Sequence, residues 1–301
     1  MTEPAPEHPR DALPLDSTAQ LLTRITAQLG TQLSLVSPNG TRRPMHRIRR
    51  SAPTLVAVAH GSRDPQALCT VLELLDRVRE LRPGLDVRLG HIELNEPLLP
   101  DTLDRVGRGD AVLVPLLLGR GHHVRHDLPL AAAAACHLRA RVAAPLGPHP
   151  LLVEALYGRL VEAGWRDEDG TSRSAAVVLA AAGSRDPDSD VDARRSAAML
   201  SDRLGGVPVV PAYASAATPD VPTALRALAA RGRHRVALAS YFTAPGRFAT
   251  VSAAAAPGVA AAPLGAHPAM ARLLLHRYDQ ALTGAAPAHG ALTRPPLRAG
   301  A

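Results

Sequence analysis

One tract of this chain is written twice. Val58-Ala59-His60-Gly61-Ser62-Arg63-Asp64-Pro65 returns 122 residues later as Ala180-Ala181-Ala182-Gly183-Ser184-Arg185-Asp186-Pro187. The repeat continues beyond that turn. GHIELNEP, from Gly90 to Pro97, falls on AYASAATP, from Ala212 to Pro219, at the same offset. LLLGRGHHV falls on YFTAPGRFA with Gly121 over Gly246, and APLGPHP at Ala144–Pro150 recurs as APLGAHP at Ala262–Pro268. Four landmarks in one order indicate an internal duplication. Whatever the first copy folds into, the second must be able to fold into as well.

Periodicity says what that unit is. TLVAVAH is a short apolar strand running into a glycine turn. Leu68, Val71, Leu72, Leu75 and Val78 then recur at the spacing of an amphipathic helix. LDVRLGHIEL reads as a second strand, DTLDRVGRG as a helix stopped by glycine, and AVLVPLLLG as a strand covered on both faces. Asp127 with Pro129 is expected to cap an alanine-rich helix. RARVAAPLGPHP gives a fourth strand and loop, and Leu151–Val161 a closing helix. Strands alternating with helices predict an α/β fold: two similar lobes, each a parallel sheet flanked by helices. The expected division is a mobile extension over 1–50, a first lobe over 51–165, a second over 174–284 and a tail over 285–301. A short helix is expected near Gln20–Leu29.

No run reaches the roughly 18–20 apolar residues that a membrane helix requires. The first residues also lack the basic start and apolar middle of a secretory signal. The expectation is a cytoplasmic protein with no membrane partner, and a monomer, because two lobes can build a cleft from one chain. Cys69 and Cys136 make no disulfide framework and no metal spacing, so both are expected to be buried packing residues. Net charge is +7 and every basic residue is arginine. Aromatics are only 2% of the chain, too few for base-stacking platforms, which argues against a nucleic-acid partner.

The two copies differ in their polar residues. The first has His60, Glu93 and His123 where the second has Ala182, Ser215 and Phe248. The fold-making residues Gly61 and Gly183, Pro97 and Pro219, and Gly121 and Gly246 persist. Packing residues should survive in both copies, so joint loss of the other three assigns them to one function. All three follow strand ends, where open parallel sheets bind ligands. Two imidazoles and a carboxylate suit a divalent first-row metal. His149 and His267 survive in both copies, which points to structure. His122 and His126 read as solvated, and His91 has no assigned role. Ser62 beside His60 makes no nucleophile elbow.

VAVAHGSRDP, IELNEP, PLLLGRGHHVRHDLP and APLGPHP together resemble the class II tetrapyrrole chelatases of the sirohydrochlorin chelatase (CbiX) type. The resemblance spans about 54–282, strong in the first lobe and degenerate in the second. The family's Phe-Leu-Glu-Leu is here His91-Ile92-Glu93-Leu94, and Leu117 replaces a usual Phe. The resemblance implies a lyase that inserts a divalent metal into sirohydrochlorin or a related tetrapyrrole without ATP, for cobalamin or siroheme. Co²⁺ or Fe²⁺ is the implied metal substrate, with Ni²⁺ also admitted, and no organic cofactor. His60, His123 and Glu93 are the implied metal-handling and proton-accepting residues. Arg63, Arg120 and Arg125 lie in the same motif loops and are expected to pair with substrate carboxylates. The competing expectation is a carrier that binds metal or tetrapyrrole without turnover.

Overall fold

The computed structural model describes residues 52–284. The expected extension, its helix near Gln20–Leu29 and the tail lie outside the described residues. The first half runs β1 (Thr54–Ala59), α1 (Pro65–Leu81), β2 (Val87–His91), α2 (Leu99–Val106), β3 (Gly109–Pro115), a π-helical turn (His123–Asp127), α3 (Leu128–Ala134), β4 (Leu138–Val142) and α4 (Pro150–Glu162). The second half runs β5 (Ala175–Ala181), α5 (Pro187–Arg203), β6 (Val209–Tyr213), α6 (Val221–Ala230), β7 (Arg235–Tyr241), α7 (Arg247–Ala254) and α8 (Pro268–Leu282).

Both sheets are parallel, in the orders β2-β1-β3-β4 and β6-β5-β7. The central strands β1 and β5 are buried on both faces, and side chains alternate between two cores. Leu55, Ala57 and Ala59 join Val177, Leu179 and Ala181 in one core shared by the two halves. Val56 and Val58 face α2 and α3 in a separate core, as Ala176, Val178 and Ala180 do in the second half. This is the period-2 pattern of strands covered on each side.

The layer between the sheets is built by exchange. α4 ends the first half in sequence, yet it packs against β7 and α5 of the second. α8 ends the second half and packs against β3 and α1 of the first. Arg82 at the end of α1 grips Asp279 of α8 with two bonds of 2.6 and 2.7 Å. The Tyr278 hydroxyl donates to the Pro53 carbonyl at 2.6 Å. In the other direction, the Arg203 guanidinium of α5 lies 3.6 Å from the centre of the Tyr157 ring of α4.

The repeated turn is explained by its backbone. Gly61 and Gly183 have φ of 104° and 88°, values that side-chain-bearing residues avoid. A Cβ at Gly61 would lie 1.9 Å from the Glu93 carbonyl oxygen, and one at Gly183 1.8 Å from that of Ser215. The glycine therefore lets the next strand's loop close onto the turn. Asp64 caps α1 by accepting from Gln66 N–H at 2.9 Å, and Asp186 caps α5 by accepting from Asp188 N–H at 3.0 Å. Pro65 and Pro187 begin the helices that follow.

Four expectations are corrected. The buried stripe of α1 is Ala67, Val71, Leu74, Leu75 and Val78, whereas Leu72 is exposed; the helix is rotated by about one position from the expected stripe. Cys69 and Cys136 are exposed, Cys69 on the solvent face of α1 and Cys136 in the turn after α3. Where the first half has β4, the second has only a parallel bridge between Leu238 and Ala260, in a segment bounded by Pro257 and Pro263. Asp127 makes no capping bond; it lies inside the helical run, and its carboxylate turns elsewhere.

Candidate active site

The carboxyl ends of both sheets open on one cavity of about 860 Å³, lined from both halves. The strand order reverses between β1 and β3, so the loops after these strands diverge and leave a crevice, where parallel sheets hold ligands. His60 follows β1, and His123 belongs to the turn after β3. Their rings meet edge to face, with centroids 4.9 Å apart and planes at 81°. Glu93, on the loop after β2, places Oε1 3.6 Å from His60 Nδ1. The backbone fixes this approach: Glu93 N–H donates to the His60 carbonyl at 3.0 Å. All three side chains remain partly open to solvent, as a site that exchanges a substrate requires.

His123 is oriented by Asp127. Its Nδ1–H donates to the Asp127 carboxylate at 2.6 Å across one turn of the π-helical segment. This fixes the tautomer and leaves Nε2 as the nitrogen with a free lone pair. Asn95 holds the turn that carries His60, its Oδ1 accepting from Ser62 N–H at 2.6 Å. Sequence reasoning missed both residues in these roles. The comparison of the two copies carried the signal, because Ser252 stands for Asp127 and Ala217 for Asn95.

The other candidates separate. Arg120, expected at a ligand carboxylate, is engaged across the lobes. It holds Asp192 with Nη2 at 2.7 Å and Nε at 3.0 Å, and its own N–H donates to the same carboxylate at 2.8 Å. Arg125, expected likewise, pairs with Asp186 at 3.1 Å and with Asp188. Arg63 lines the cavity, is exposed and forms no ion pair or hydrogen bond among the described residues. His91 is buried, with its Nδ1 3.2 Å from the Pro97 carbonyl oxygen. His122 and His126 lie outside the pair, their rings 4.8 Å apart.

His149 and His267 lie away from this cavity and do the same work in each half. The Nδ1 of His149 accepts from Leu151 N–H at 3.1 Å to cap α4, and that of His267 accepts from Ala269 N–H at 3.2 Å to cap α8. Burial, helped by Arg277 and His276, pushes the His149 pKa down to about 4. Burial, then Arg159, also lowers that of His267. Both stay neutral, as an Nδ1 acceptor must.

Among the described residues, no three His, Cys, Asp or Glu side chains stand close enough to hold a metal ion together. The two imidazoles, with Glu93 behind one of them, offer ligands from one side only. The second half adds Ala182, Tyr213, Tyr241, Phe242 and Phe248 to the cavity lining, with Ser184, Ser215 and Arg247 among its polar members. Basic nitrogens and aromatic side chains lining one cavity suit proton and metal exchange with a flat, largely apolar partner.

The family model for CbiX matches residues 54–163 and again 176–281. A sirohydrochlorin cobaltochelatase of Methanococcus aeolicus is 33% identical over 78 residues, a quarter of this chain and 54% of the relative. A sirohydrochlorin ferrochelatase of Bacillus subtilis is 27% identical over 173 residues, covering 55% of this chain and 64% of the relative. The chain thus spans about half to two thirds of the length of these curated relatives. The solved structure of SirB from Bacillus subtilis with Fe³⁺ superposes with a TM-score of 0.63 at 23% identity, covering 77% of this chain and 96% of that one.

Proposed function

The chain belongs to the CbiX family, and we propose that it inserts a divalent metal into sirohydrochlorin or a closely related tetrapyrrole without ATP. The observation that carries this reading is the pair His60 and His123 at 4.9 Å, lining one cavity with Phe242 and Phe248 of the second half. As the metal enters the ring, two pyrrole N–H protons must leave. Nε2 of His123, freed by the Asp127 bond, accepts one. His60 takes the second, with the Glu93 carboxylate placed to stabilise the imidazolium; where His60 holds the metal instead, Glu93 accepts that proton. Co²⁺ or Fe²⁺ is the proposed metal, by the names of the curated relatives. Both halves of one chain contribute to the cavity lining, which supports a monomer. Of the three arginines expected at carboxylates, Arg63 keeps that role here, and Arg120 and Arg125 hold the lobes together.

The test is direct. Purified protein is mixed with sirohydrochlorin and Co²⁺ or Fe²⁺, and the absorption spectrum of the macrocycle is followed. Insertion faster than in buffer, continuing past one equivalent of protein, is expected. A rate equal to buffer overturns the reading. A burst that stops at one equivalent replaces it with the carrier. His60→Ala and His123→Ala should each remove the acceleration.

A further inference from the structure

The chain contains two phenylalanines, Phe242 and Phe248, and both line this one cavity. They lie six positions apart, Phe242 just after β7 and Phe248 in the first turn of α7. Phe248 is 42% exposed. An exposed phenyl ring forgoes the burial that drives folding, whereas Phe242 is partly buried against the second-half core and presents the rest of its surface to the cavity. Most other large apolar side chains left exposed among the described residues sit on outward helix faces or helix ends; Leu94 and Phe248 line the cavity. Phe248 also occupies the position that His123 holds in the first copy. The second copy has therefore done more than lose a histidine: it has replaced it with a flat apolar surface.

Two arginines without a protein partner among the described residues share that cavity. Arg247 precedes Phe248, is exposed, lines the cavity and forms no ion pair or hydrogen bond among the described residues. Arg63 enters from the other lobe under the same conditions. Arg120 and Arg125 are already held by carboxylates of the second lobe. An uncommitted arginine from each half of the chain, in a cavity with aromatic side chains, fits a planar conjugated ring that carries carboxylates at its edge.

We infer that Phe248 and Phe242 form the stacking wall for the macrocycle. Arg247 and Arg63 receive its peripheral carboxylates, so that the free face of the ring is turned to His60 and His123. This deepens the proposed function and rests on it. The second lobe binds the ring, and the first lobe handles metal and protons.

The test uses the full chain and metal-free sirohydrochlorin. Binding is read by fluorescence or absorption titration without metal, and Co²⁺ binding is read separately without macrocycle. Phe248→Ala should weaken macrocycle binding by about tenfold, and Phe248→Tyr should stay within about twofold, since a phenol ring still stacks. Arg247→Gln should weaken binding severalfold and raise KM with kcat kept at saturation. Co²⁺ binding and the melting temperature should match the parent in all three. If the parent binds and metallates the ring while Phe248→Ala binds it within twofold, the wall is overturned and the chelatase reading stands. If the parent neither binds nor metallates, the chelatase reading fails and the wall with it.

Discussion

Arg120 closes on Asp192 from three directions, so a loop at the end of the first sheet is fastened to the first turns of a helix in the second half. Asp192 is almost fully buried, with 4% of its side chain exposed. A buried carboxylate is tolerated only while its partner is present. Asp188 adds a weaker second contact to the same guanidinium at 3.3 Å.

Replacing Arg120 by Ala should lower unfolding stability by about 3 kcal/mol, because the Asp192 charge is left buried and unpaired. Urea denaturation checks this. The more exposed Arg125→Ala should cost about 1 kcal/mol or less. Equal and negligible losses in both variants would show that the clamp contributes nothing.

Gly61→Ala and Gly183→Ala should be about equally damaging, each by roughly 2–4 kcal/mol, although only the first stands beside the histidines. The added methyl meets a carbonyl oxygen at 1.9 Å in one case and 1.8 Å in the other. Thermal unfolding of the two variants, compared side by side, checks the equality. A stable Gly183→Ala protein would break the argument that the glycine serves the fold.

Asp127→Asn should leave the fold intact and reduce metal insertion by about 10- to 100-fold, since the partner of a metal-handling histidine sets its orientation and basicity. Initial rates with a matched melting curve make the comparison. An unaffected rate would remove Asp127 from the mechanism.

The two histidine caps predict a pH slope. Below about pH 6.5 the unfolded chain binds protons that the folded caps refuse. The stability from the neutral caps is complete above that pH and is lost as pH falls toward about 4. Urea midpoints measured from pH 7.5 to about 4.5 should decline by the equivalent of about 2 kcal/mol, allowing for the partial exposure of His149. His149→Asn caps without titrating and should flatten the decline. A slope unchanged in that variant would assign it to other groups.

Much of this architecture was legible because duplication supplies its own control. A residue kept in both copies, such as Gly61 with Gly183 or His149 with His267, proved to serve the backbone: a close approach in one case, a helix cap in the other. A residue kept in one copy, such as His60 or His123, proved to face the cavity. What composition hid was pairing across the lobes. Arg120 and Arg125 sit in motif loops beside the cavity, and no spacing in the first copy says that Asp192 and Asp186 of the second will hold them. Asp127 misled for another reason. Asp two residues before Pro reads locally as a cap, but the extra residue of a π-helical turn keeps it inside the helix and turns its carboxylate to His123.

The traded helices make the second lobe necessary to the first, although it carries no imidazole at the positions of His60 and His123. Deleting residues 174–284 would strip α8 from β3 and α1, and leave α4 with its apolar face against water. Neither half is a spare part. The half without those imidazoles still roofs its neighbour, and its cavity-facing positions carry other side chains.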